Sequence, residues 1–79
     1  MKLWLLRPIK GVTGPWDPWY DKSFGFVCRA LSEQEARQYA ADDSGDEGAE
    51  AWLDSTLSTC EELSADGELG VVMQDFKAA

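Results

Sequence analysis

The sequence has no histidine, so it lacks both the commonest general base and the commonest zinc ligand. Its two cysteines, Cys28 and Cys60, are too few to complete a tetrahedral zinc site and allow at most one bridge. The seven glycines are scattered, with neither Walker nor Rossmann spacing, and nothing supports a phosphate loop. No apolar run approaches the roughly 20 residues that cross a bilayer. The opening "KLWLLRPIKG" is too short for a secretory leader and has no small-residue cleavage site, so a cytoplasmic chain with reduced thiols is expected. Basic residues are few, seven against fifteen acids, and a net charge of −8 disfavours anionic lipid and direct nucleic-acid binding alike. With fifteen carboxylates some pair always lies close, so a carboxylate pair says little about acid/base catalysis. The expectation is a non-enzyme with no cofactor and no metal.

What is present is an apolar content of 44%, with four Trp, three Phe and two Tyr in 79 residues. That suffices for one small domain, residues 1–79, with a real core. "KLWLLR" reads as a strand apolar on both faces, Leu3 and Leu5 against Trp4 and Leu6, and therefore interior. Three prolines and two glycines between Pro8 and Lys22 forbid regular structure there. "SFGFVCRA" reads as a second strand, with Phe24, Phe26 and Cys28 on one side and Val27 on the other, paired with the first as a long-looped hairpin. Ser32 and Glu35 form a capping box that starts a helix. Its apolar stripe is Ala36, Tyr39 and Ala40, and Glu33, Arg37 and Gln38 are assigned to solvent. "DEGAEAWLD" reads as a short second helix with Ala49, Trp52 and Leu53 inward, although Gly48 weakens it. "LSTCEEL" reads as a third strand at a sheet edge, because Glu61 and Glu62 point to opposite faces. "GVVMQDF" reads as a fourth strand, joined to the third by a hairpin at Asp66-Gly67. The fold class is α+β: an antiparallel sheet of three or four strands, one main helix packed on one face, and a short second helix.

The charge is segregated along the chain. Residues 1–32 carry +3 and residues 33–79 carry −11. "DDSGDEGAE", Asp42 to Glu50, holds five carboxylates and no base. Taken as a calcium loop from Asp43, it places Gly48 at position 6 and Asp54 at position 12, but Gly45, Glu47 and Glu50 are wrong for positions 3, 5 and 8. Nor is it a free linker, since Trp52 and Leu53 follow at once and need burial. Held in place, the carboxylates form a fixed array, and duplex DNA is itself an array of one negative charge per about 1.7 Å. A basic partner is the expected target, reached by fast, salt-sensitive association. The candidate partner-binding residues are Asp42, Asp43, Asp46, Glu47, Glu50 and Asp54, with Glu61 and Glu62 after them. An alternative surface is the aromatic group Trp16, Trp19 and Tyr20, which reads either as a recognition patch or as a lid on the core. The small size of the domain favours the lid. The chain is expected to act as a monomer.

"MKLWLLRP", "PWDPWYDKSFGFVCRA", "STCEEL" and "GVVMQDF" together resemble small acidic proteins of bacterial genomes and prophages, and among them the phage-encoded anti-CRISPR proteins acting on type I systems, with type I-C the expected subtype. The likeness spans nearly the whole chain and lies in size, acidity and these segments, not in a shared motif. It implies binding to the Cascade surveillance complex where its large subunit reads the PAM and grips duplex DNA. Inhibition by occupancy would need no catalytic residue. The alternative from another class is a bacterial interaction or regulatory module docking a protein through its Trp/Tyr loop.

Overall fold

The computed structural model describes residues 1–12 and 14–76. Its elements run β1 (Lys2–Pro8), β2 (Phe26–Ala30), α1 (Glu33–Asp42), α2 (Glu50–Leu53) and β3 (Ser58–Leu63). The three strands form one antiparallel sheet in the order β2-β1-β3. The first strand is thus the centre of the sheet, as its two apolar faces require, and Leu5 and Leu6 are both buried although they point to opposite sides. β3 is an edge, in keeping with its adjacent glutamates. Among the described residues no helix is long and apolar enough to cross a membrane.

Alternation of side chains divides the sheet into two faces. On one, Leu6, Ala30, Phe26, Cys28, Cys60 and Trp4 pack against Ala36, Ala40 and Ala41 of α1 and against Trp52 of α2. Alanines on the helix let its backbone approach the sheet, and the one large buried side chain, Trp52, fills the space left between α1 and the strands. Its indole meets Trp16 and Phe26 edge to face, each at 4.9 Å between ring centroids. Removing about 150–250 Å² of indole from water contributes about 4–6 kcal/mol at 25 cal/mol/Å², which makes Trp52 the principal anchor of the core.

The capping box forms. Ser32 Oγ accepts from Glu35 N at 3.2 Å, and Glu35 Oε1 reaches back to Leu31 N at 3.0 Å, one residue before the expected Ser32 N–H. The helix is turned from the expected stripe, however. Its buried positions are Ala36, Arg37, Ala40 and Ala41, and Tyr39 is exposed. Arg37 is the reason: its guanidinium lies under the helix and donates to Trp52 O at 2.8 Å, Ser58 Oγ at 2.9 Å and Ser58 O at 3.0 Å, while Nε pairs with Glu33 at 2.9 Å. Carbonyls left open at the end of α2 and the start of β3 demand a donor there, and only a long fork of N–H groups reaches them.

Three further expectations are corrected. The second helix begins only at Glu50, because Gly48 at φ 88° keeps the preceding residues in turns, and Ala51 and Trp52 are its buried pair in place of Ala49, Trp52 and Leu53. β2 starts at Phe26, and Phe24 lies outside the ladder beside Trp16. "GVVMQDF" forms no strand and Asp66-Gly67 no hairpin, so the sheet has three strands. The helical layer packs on these three strands.

Candidate protein-binding surface

The stretch from Asp42 to Asp54 leaves α1, turns through Ser44–Ala49 and enters α2, and its carboxylates have different fates. Asp42 is exposed on the last turn of α1 and accepts from Gln38 Nε2 at 2.8 Å, which offsets the unfavourable placement of an acid at a helix C-terminus. Asp43 caps that helix through its backbone and leaves its side chain in solvent. Glu50 is exposed in the first turn of α2, where the helix end favours it.

Glu47 is not at the surface. It is 7% exposed and lies beside the core, where Oε2 accepts from Trp52 Nε1 at 2.6 Å and Oε1 accepts from Ser23 N and Gly45 N, each at 3.0 Å. Burial alone would raise its pKa. The hydrogen bonds from Trp52, Ser23, its own N–H and Gly45 outweigh that, and the carboxyl sits below its ordinary value. Its carboxylate holds the loop and is withdrawn from any partner.

Asp46 is held from the other side. Its N–H donates to Asp21 O at 2.8 Å, and its Oδ2 accepts from Asp21 N at 3.0 Å. This two-bond clamp joins the acidic loop to the aromatic loop 25 residues earlier. It needs a glycine next door: a Cβ on Gly45 would run into the Asp21 carbonyl oxygen. The clamp brings Asp21 itself, exposed, into the acidic surface, a member that sequence reading missed. No local signal marks it, because the contact depends on where the proline-rich loop folds back.

Asp54 is spent locally. Its Oδ1 accepts from the Thr56 hydroxyl at 2.7 Å and from Thr56 N at 2.8 Å, and these bonds hold its carboxyl below its ordinary value. The turn it makes starts β3. With Glu47 facing the core and Asp54 facing Thr56, the residues at positions 5 and 12 of the calcium-loop alignment are engaged within the chain. Glu61 and Glu62 lie apart from the array on β3, paired with Arg7 at 2.9 Å and Lys2 at 3.0 Å. Both pairs are open to solvent and each is worth little to stability. The exposed acids of this stretch are therefore Asp42, Asp43, Asp46 and Glu50, with Asp21 bonded to Asp46.

The aromatic loop divides as well. Trp16 is the lid: it packs on Trp52 and donates from Nε1 to Leu57 O at 2.9 Å. Trp19 and Tyr20 are 67% and 87% exposed, and Tyr20 has φ 69°, a conformation that a non-glycine residue adopts only when its neighbours hold it. The hold is the next residue, Asp21, in the clamp with Asp46. Acidic and aromatic surfaces, which read as alternatives in the sequence, are joined at one point in the fold.

Cys28 and Cys60 are free and half-buried on the helix face of the two edge strands. Burial raises both thiols, that of Cys60 to about 11, with the Asp43 charge adding to the effect at Cys28. No family model matches the chain, nor does any curated protein or solved structure.

Proposed function

We propose that the protein is a non-catalytic inhibitor which docks its acidic surface on the basic DNA-gripping groove of a Cascade-type complex in the bacterial host cytoplasm and so blocks target-DNA and PAM recognition. The carrying observation is the set of exposed carboxylates on Asp42, Asp43, Asp46 and Glu50, joined by Asp21 and fixed in position by the Asp21–Asp46 clamp and the buried Glu47 beneath. Carboxylates on an ordered backbone lose little freedom on binding, and closely spaced negative charge is what a Lys/Arg groove built for duplex DNA accepts. The anti-CRISPR resemblance of the sequence supplies the type I target. The protein binds no nucleic acid itself and needs no cofactor in this role.

A second reading rests on Trp19 and Tyr20, whose exposure and fixed backbone suit an aromatic anchor in a protein partner's pocket. In that reading the acids serve solubility and the chain is an interaction or regulatory module. Competition with duplex DNA for a type I Cascade complex, at low and high salt, separates the two: the acidic surface loses affinity steeply with salt, and the aromatic anchor does not.

A further inference from the structure

Among the described residues, no helix or strand packs on the face of the sheet turned away from the helices. Leu5 on this face is buried, and it lines a cleft of about 400 Å³ together with Phe24, Val27 and residues 73–75 of the C-terminal segment. The rest of that segment uses none of its apolar side chains: Leu69, Val71, Val72 and Phe76 are all exposed. On the same open face Val27 is exposed, Leu3 is at the margin of exposure and Leu63 is half-buried. So much apolar surface gathered on one side of a small chain calls for a cover.

Charge says what the cover is. By the sheet register Arg7 and Arg29 project from the open face, and Lys22 lines its cleft, so cations outnumber the one glutamate there, Glu61. The C-terminal segment has the opposite character, apolar residues among three acids, Asp66, Glu68 and Asp75, against the single base Lys77. An acidic, apolar segment fits a basic, apolar face, and the chain carries both. Its own segment meets only the corner of that face at the Leu5 cleft.

We propose that a second copy of the chain covers this face, the C-terminal segment of each protomer crossing onto the open sheet of the other in a two-fold exchange. The acids Asp42, Asp43 and Glu50 lie in the helical layer, on the far side of the sheet, so the dimer forms without bringing the two acidic surfaces together. The net charge of −8 still opposes association at long range, and salt screens it. The same screening weakens the attraction of each acidic segment for the basic face, so the apolar contacts set the strength of the dimer.

Sedimentation of the full chain from about 1 to about 500 µM, at low salt and at about 0.5 M, tests this. The expected result is a monomer–dimer equilibrium at both salt concentrations. Val72→Asp is expected to raise the dimer Kd roughly 10- to 100-fold, the effect of losing one buried valine. Arg29→Glu is expected to raise it too, with far-UV dichroism unchanged in both, since both side chains are exposed and neither holds the core. A wild-type monomer at every concentration overturns the proposal, and so does a dimer that neither substitution weakens.

Discussion

The indole N–H of Trp52 donates to the Glu47 carboxylate at 2.6 Å, so one of the five acids of the most acidic stretch is a core residue. The bond also sets how that stretch is displayed, because the same carboxylate gathers the backbone N–H groups of Ser23 and Gly45. One buried charge thus orders the surface that its neighbours present.

Replacing Glu47 by Gln swaps one acceptor oxygen for an N–H₂ facing donors from Trp52, Ser23 and Gly45. A loss of about 1–3 kcal/mol is expected at neutral pH, the cost of buried donors left without an acceptor. Asp43→Asn and Glu50→Gln, both at the surface, leave stability unchanged or slightly raised. Urea unfolding of the three variants measures the contrast, and equal midpoints would refute the buried role of Glu47.

The same residue gives a pH dependence. Its folded pKa lies below the ordinary value of 4.5, so it adds stability above that pH and loses it as pH falls through the lower folded value. Urea midpoints should therefore fall on acidification below about pH 4.5, and the Glu47→Gln variant should show a shallower fall. Superimposable acid limbs for the two proteins would show that Glu47 is not the group responsible.

Arg37, at 7% exposure, joins α1 to α2 and β3 through Trp52 O, Ser58 Oγ and Ser58 O. Arg37→Ala is expected to cost about 3–5 kcal/mol, since it leaves buried acceptors unpaired. Arg37→Lys recovers only part, because one ammonium cannot reproduce the fork. Thermal melts of both variants give the comparison, and a Lys variant as stable as wild type contradicts the fork geometry.

Cys28 faces Trp4 and Cys60 faces Leu6, with β1 between them. Two strand spacings hold their Cα atoms roughly 10 Å apart, beyond the reach of about 7 Å for a disulfide. Thiol titration of the unreduced, denatured monomer should count two. In the native protein alkylation should be slow, since a thiol with pKa about 11 is only about 0.1% thiolate at pH 8. A count of zero in the denatured monomer would mean that the sheet order is wrong.

Much of the fold is legible in the sequence because local chemistry and global packing agree there. Both apolar faces of "KLWLLR" put β1 in the centre, Ser32 and Glu35 start α1, and Glu61 beside Glu62 puts β3 at an edge. The misreadings fall where a polar residue does a core residue's work. Arg37 and Glu47 read as solvent groups by residue type, and only the carbonyls and N–H groups brought to them by distant segments make them interior. The apolar run of "GVVMQDF" suggests a strand, but its residues join no ladder and Val71, Val72, Met73 and Phe76 stay exposed. The acidic surface is legible in Asp42, Asp43, Asp46 and Glu50, while Asp21 depends on a contact made across 25 residues.

The most direct test of the acidic surface as a DNA mimic is competition with duplex DNA for a type I Cascade complex at two salt concentrations. The variants are Asp42→Asn, Asp43→Asn, Glu50→Gln combined, which spares Glu47 and the Asp46 clamp, and Trp19→Ala, Tyr20→Ala, which spares the Trp16 lid. Wild type should displace DNA at low salt and lose this steeply at high salt. The neutralised variant should lose at least about 2 kcal/mol of binding at low salt with its melting temperature intact, while the aromatic variant competes nearly as well as wild type. If the neutralised variant competes like wild type while the aromatic variant fails, or if wild type itself does not displace DNA at low salt, the acidic surface is not the inhibitory one.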